Sequence, residues 1–270
     1  MRTLIYSNLF IALCAAILTL GTYGLIEAEP NIFLVLHVFG VTLMAYNVQR
    51  LARLEKFSNR TDQIRWYLRN KWMLYTSLLI GVLLAGITLF FLPFKTLLYF
   101  SPLAAVSIFY SIPLGKSLTI RAIPGIKIFL IALVWTGVTL ALPMVMVSFE
   151  FDGSAGLLLF QRLLFVLAIT IPFDIRDLKY DESRMKTLPQ ILGVKRAKRM
   201  AMGFILICLI IELNLQGFGG QTEIQKPILL LFYLLVGILI HRTSEDSDDI
   251  YFTGVLDGTM LLLGLILILF

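Results

Sequence analysis

Apolar runs alternate with polar breaks along the whole chain, and the breaks are unequal. Runs near the length that crosses a bilayer, roughly 17–25 residues, fall at 4–25, 31–49, 73–94, 96–113, 123–147, 157–173, 200–216, 227–241 and 252–270. This pattern predicts an all-α polytopic membrane protein, a bundle of about nine transmembrane helices. No shift in composition divides the chain, so a single domain over residues 1–270 is expected.

The long polar breaks, 50–71, 174–199 and 242–250, alternate onto one predicted side. With the N-terminus in the cytoplasm, that side receives 20 of the 23 lysines and arginines, leaving only Lys95, Arg162 and Lys226 opposite. Such a bias is the positive-inside rule. It predicts an integral protein of the inner or cytoplasmic membrane with its functional face toward the cytoplasm. Composition agrees: 59% of residues are hydrophobic and 15% charged, where a soluble domain has about 25% charged. The net charge of +6 calls for no nucleic acid. Basic residues at helix ends meet anionic membrane lipids or a phosphorylated substrate. Cys14 and Cys208 lie inside apolar runs, with no paired spacing, and read as small apolar residues. The first run lacks a small-residue cleavage site and reads as a helix. Inverted repeats of interrupted helices, the mark of many transporters, are not evident.

Candidate chemistry concentrates in DIRDLKYDESRMKTLPQILG, residues 174–193. Asp174, Asp177 and Asp181 stand at i, i+3 and i+7, on one face of a helix. Three acids so placed repel one another unless a cation sits among them. A hard divalent ion such as Mg²⁺ takes oxygen ligands and bridges to phosphate. The alternative is a solvated helix end whose acids pair with Arg176, Lys179 and Arg184. Pro172 lies just upstream, where it either kinks the helix or breaks it and frees carbonyls beside the acids. His37, within the second run, reads as hydrogen-bonded packing. Asp257, in the last run, is costly in a membrane and needs a partner or a cavity. The acidic run 244–249 reads as a solvated loop.

Two segments carry a family resemblance. Residues 174–193 resemble the second Asp-rich motif of the UbiA superfamily of intramembrane prenyltransferases, with its Lys-Thr-Leu-Pro…Leu-Gly tail. Residues 109–135, FYSIPLGKSLTIRAIPGIKIFLIALVW, resemble that superfamily's Tyr-Ser-x-Pro…Pro-Gly-Lys segment. The resemblance implies helices around a central cavity and transfer of an isoprenyl group from a prenyl diphosphate to a hydrophobic acceptor, aromatic or lipid. It also implies Mg²⁺ held by Asp-rich motifs on the second and sixth helices. Carried onto this chain, Asp174, Asp177 and Asp181 become metal ligands, with Asp177 and Asp181 the catalytic pair.

The first motif departs from the family pattern, Asn-Asp-x-x-Asp-x-x-x-Asp. Here residues 47–55 read NVQRLARLE. Asn47 is kept, Val48 and Leu51 replace two aspartates, and Glu55 takes the third place as a metal ligand. Arg50 and Arg53 enter the same turns, where guanidinium groups can grip phosphate in a bidentate fork or touch lipid headgroups. Tyr110 and Lys116 resemble the family's substrate-contacting Tyr/Lys segment, at a different spacing. Lys127, after Pro124-Gly125, either snorkels to the interface or meets phosphate. The expected substrate-binding set is Asn47, Arg50, Arg53, Tyr110, Lys116 and Lys127. The competing expectation is a catalytically inactive relative that binds an isoprenoid or lipid.

Overall fold

Helices in lipid gain no hydrophobic energy by meeting one another, so close packing and polar bonds decide where they touch. The structure, a computed structural model, describes residues 2–54, 62–111, 125–179, 186–215 and 224–270. It is all helical among those residues. The first half contains α1 (Arg2–Tyr6), α2 (Leu9–Leu25), α3 (Ile32–Leu54), α4 (Asp62–Arg69), α5 (Lys71–Leu89) and α6 (Phe94–Ser111). In the second half α7 (Lys127–Thr136) continues through a π-helical segment, Gly137–Ala141, into α8 (Leu142–Met146). There follow α9 (Gly153–Asp177), α10 (Leu188–Leu192), α11 (Val194–Asn214) and α12 (Gln225–Arg242). A second π-helical segment, Tyr251–Leu256, leads into α13 (Asp257–Leu269).

Six of these rods are long and apolar enough to cross a membrane: Ile32–Ala52, Lys71–Leu89, Lys127–Met146, Gly153–Asp177, Gln225–Arg242 and Tyr251–Leu269. The remaining expected spans fall short of that mark for visible reasons. Leu9–Leu25 and Phe94–Ile108 are apolar but shorter. α11 opens on Val194-Lys-Arg-Ala-Lys-Arg199, so its first turns are charged. Large apolar side chains such as Leu79, Leu83 and Ile87 on α5, or Leu231, Leu234 and Ile238 on α12, cover the outer surface. The protein is an integral membrane protein.

Two seams of small residues fix the helix order. Along α2 and α13, a Cβ placed at Gly21 would lie 2.6 Å from the Gly264 carbonyl oxygen, and one at Gly264 2.6 Å from that of Ile17. Along α3 and α5, a Cβ at Gly40 would lie 2.8 Å from the Ala85 nitrogen, and one at Gly81 2.8 Å from that of Met44. Glycine costs about 1 kcal/mol in a helix, and here close backbone approach repays it. Polar cross-ties reinforce the seams. Thr22 Oγ1 donates to the Thr139 carbonyl at 2.6 Å, Gln161 Nε2 donates to Glu212 at 3.0 Å, and His37 Nδ1 lies 3.0 Å from Thr88 Oγ1.

α9 positions the site. Asp152 caps it, accepting from the Ala155 N–H at 2.8 Å. The apolar pattern stops at Phe173, yet the helix runs through Pro172 to Asp177. Pro172 therefore does not break it, and Asp174 and Asp177 are carried one turn further on the same face. The Lys-Thr-Leu-Pro…Leu-Gly tail folds into the single turn of α10. Gln190 Oε1 accepts from the Thr187 N–H at 3.0 Å, and Gly193, at φ +77°, ends the turn. A positive φ suits glycine because it has no Cβ.

Candidate functional site

A cavity of about 460 Å³ lies at the centre of the bundle, a size suited to a small ligand. One part is charged: Arg50 from α3, Lys127 from α7, Asp174, Arg176 and Asp177 from α9, and Asp257 from α13. The rest is mainly apolar, with walls that include Leu103, Leu130, Val134, Trp135, Val138 and Ile169. Both π-helical segments contribute, through Val138 and Thr139 and through Thr253. Such bulges often mark functional sites, because the extra residue re-aims the turn that follows.

The charges interlock. Lys127 is 8% exposed and Asp174 1%. The ammonium Nζ donates to Asp174 Oδ1 at 2.6 Å and lies 3.9 Å from Asp177 Oδ2. Arg176 Nε donates to Asp177 Oδ1 at 2.9 Å. The Arg176 guanidinium packs 5.2 Å from the Phe173 ring centre and 5.4 Å from that of Phe252. Arg50 packs 5.6 Å from the Tyr67 ring centre. In a membrane-embedded cavity such pairing lets the charges persist.

In sequence no family model matches the chain, and no curated protein matches it. Its backbone, however, superimposes on solved structures. One is a UbiA homologue from Archaeoglobus fulgidus bound to DMAPP and Mg²⁺, at a TM-score of 0.68 over 100% of both chains, with 14% identity. The fold is that of the UbiA homologues. A second, the apo UbiA homologue from Aeropyrum pernix K1, gives a TM-score of 0.70 over 96% of each chain at 12% identity. The A. fulgidus homologue has also been solved bound to GPP and Mg²⁺, at a TM-score of 0.67 and 14% identity, covering 99% of each chain.

Within this UbiA fold the expected residues separate into three groups. Arg50, Lys127, Asp174 and Asp177 are brought together around the cavity. Asn47 is fully buried and does not line it. Its Oδ1 accepts from Asn8 Nδ2 at 3.0 Å, and its Nδ2 donates to the Leu43 carbonyl at 2.8 Å. Glu55, Lys116 and Asp181 lie outside the described residues, as do the side chains of Arg53 on α3 and Tyr110 on α6. Val48, at the place of an expected aspartate, lines the cavity.

Arg176, expected from the sequence as a counter-ion, also lines the cavity; the signal for that is a guanidinium between two acids, Asp174 and Asp177. Asp257, flagged by its cost, shows part of its surface to the same cavity. The 244–249 run lies at the surface, where Lys179 Nζ donates to Asp246 Oδ1 at 2.7 Å. That hydrogen bond and charge hold the Asp246 carboxyl below its ordinary value.

Proposed function

We propose that the chain is an intramembrane prenyltransferase, moving an isoprenyl group from a prenyl diphosphate to an aromatic or lipid acceptor. One observation carries this reading: a cluster of cations and carboxylates opens into an apolar cavity, inside a fold whose solved members include one bound to GPP or DMAPP. The charged part receives the diphosphate, and the apolar walls receive the isoprenoid chain. The carbon–oxygen bond breaks with its electron pair leaving on the diphosphate. Lys127 and Arg50 stabilise that growing charge. The allylic cation is sheltered from water until the acceptor attacks it and gives up a proton. By the positive-inside rule the charged part faces the cytoplasm.

Mg²⁺ is the ion implied by the resemblance, with Asp174, Asp177, Asp181 and Glu55 as ligands. Among the described residues no three acids, histidines or cysteines are grouped closely enough to hold a metal. Asp174 is taken by Lys127 and Asp177 by Arg176. Mg²⁺ is ordinarily held by one or two carboxylates together with phosphate oxygens and water, and Asp174 and Asp177, which both line the cavity, are the described residues that would hold it.

Val48 in the cavity wall favours a second reading, a non-catalytic relative that binds an isoprenoid or lipid. The two part on one experiment. Purified protein in nanodiscs is incubated with radiolabelled geranyl diphosphate and a membrane lipid extract, with Mg²⁺ or with EDTA. Release of pyrophosphate together with a labelled lipid supports the transferase. Retention of the intact diphosphate supports the binding protein, and no binding removes both.

A further inference from the structure

Two hydrogen-bond acceptors in the cavity wall stand without a donor. Three cations and three carboxylates line the cavity. Lys127 holds Asp174 at 2.6 Å and Arg176 holds Asp177 at 2.9 Å. The third carboxylate, Asp257 at the start of α13, meets no hydrogen bond or ion pair among the described residues. Asn8, on the α1–α2 turn, lines the same cavity and is only 3% exposed. Its Nδ2 is spent on Asn47 at 3.0 Å, while its Oδ1 accepts nothing among the described residues. An asparagine ahead of a helix ordinarily spends that oxygen on the first free N–H groups, and here no such bond forms. Its backbone sits at φ +64°, in the left-handed region. Asparagine tolerates that region, and residues held there cluster at functional sites. Neither group is sealed in protein: both form the cavity wall, and no oxygen of either is enclosed without a partner.

Both groups belong to one side of the bundle. A Cβ at Gly254 would lie 3.2 Å from Ile5 Cδ1, and one at Gly258 3.5 Å from Phe10 Cζ. Residues 254–258 therefore run beside residues 5–10. The carboxylate–cation pairs are built instead on α7 and α9. A carboxylate and an amide oxygen only accept hydrogen bonds, so this side of the cavity selects a ligand that donates. An ionised diphosphate has no donor and is repelled by the carboxylate. An isoprenoid chain has none, nor has an aromatic ring carbon. An alcohol or phenol hydroxyl has one.

We propose that Asn8 and Asp257 bind the hydroxyl group of an amphiphilic acceptor, and that Asp257 is the base of an O-prenylation. This rests on the reading of the cavity as a prenyl diphosphate site and names the acceptor class. The bond from the allylic carbon to the diphosphate oxygen breaks, with its electron pair leaving on the diphosphate. A lone pair of the acceptor oxygen forms the new carbon–oxygen bond. The hydroxyl proton passes to the Asp257 carboxylate, and from there to water as the products leave. Those products are a prenyl ether and inorganic pyrophosphate. Asn8 orients the acceptor, since its amide is fixed by the pair with Asn47.

The test uses the full-length protein in nanodiscs with radiolabelled geranyl diphosphate and Mg²⁺. Two hydroxyl probes, a 1-O-alkylglycerol and a 4-alkylphenol, are each compared with their fully O-methylated forms. The parent is expected to convert at least one hydroxyl probe to its geranyl ether and neither methylated form. Asp257→Asn is expected to lower kcat roughly a hundredfold, the worth of a positioned base, with geranyl diphosphate affinity unchanged. Asp257→Glu, which restores a carboxylate, is expected to recover part of the rate. Asn8→Ala is expected to raise the acceptor KM about tenfold, the worth of one hydrogen bond, with kcat close to the parent's. Full ether formation by Asp257→Asn overturns the proposal, as does label found on a ring carbon. An equal loss of geranyl diphosphate affinity in Asp257→Asn also overturns it and makes Asp257 a counter-ion only. A parent that binds geranyl diphosphate yet converts neither hydroxyl probe overturns the acceptor site and leaves the donor reading standing. A parent that binds no geranyl diphosphate overturns the donor reading, and this proposal with it.

Discussion

The two charged walls of the cavity are built differently. On α9 each acid faces a cation: Lys127 for Asp174, Arg176 for Asp177. α3 carries no acid between Ile32 and Leu54; there Val48 lines the cavity and Arg50 faces it over Tyr67. Asn47, next to Val48, holds α3 against the α1–α2 turn through Asn8. The difference teaches that charge in a low-dielectric space can be kept by an opposite charge, as on α9, or against an aromatic ring, as on α3, because an uncompensated charge there is costly.

The sharpest way to break the α9 wall is Lys127→Met. It strands the buried Asp174 carboxylate, and breaking a buried pair costs about 3–5 kcal/mol. Thermal unfolding in detergent should show a large loss, and Lys127→Met combined with Asp174→Asn should recover most of it. A single variant that melts like the parent would mean that Asp174 is held by other groups.

Arg50→Ala tests the opposite wall and acts on the ligand rather than on folding. It should cost about 1–3 kcal/mol of geranyl diphosphate binding, most clearly in EDTA. Val48→Asp is its converse. Placing a carboxylate in that wall should make binding depend more on Mg²⁺, as titration with and without the ion would reveal.

Asn47→Ala separates the two uses of α3. Losing the amide pair with Asn8 should lower stability by about 1 kcal/mol, with diphosphate affinity unchanged. A matching loss of affinity would return Asn47 to the binding set.

The smallest effect belongs to Lys179 and Asp246, half and mostly exposed respectively. Exposed pairs contribute little. The lowered Asp246 carboxyl stabilises above its ordinary range, and that contribution is lost as pH falls through its folded value. The midpoint difference between the parent and Lys179→Ala should be slight at neutral pH and vanish in acid.

Much of this arrangement was legible because membrane energetics are severe. A lysine after Pro124-Gly125 and an aspartate in the last apolar run are expensive unless they face something, and Lys127 and Asp257 both line the cavity. The i, i+3 spacing of Asp174 and Asp177 survived because the helix continues through Pro172. Other features left no trace in the pattern. The π-helical segments depend on one extra residue per turn, which apolar spacing does not register. The amide pair of Asn47 with Asn8 is equally silent in the pattern, since the two lie 39 residues apart. Arg176 looked like a counter-ion because Phe252, which fixes its second face, comes from the far end of the chain.

The glycine seam between α2 and α13 also bears on how the molecule is made. α2 finds a close partner in α13, far along the chain. Ile11 and Ala15 of α2 and Met260 of α13 all line the cavity, so that side of its wall is complete only once two helices distant in sequence have met. Until α13 docks on α2, the charged cluster lacks one of its enclosing walls.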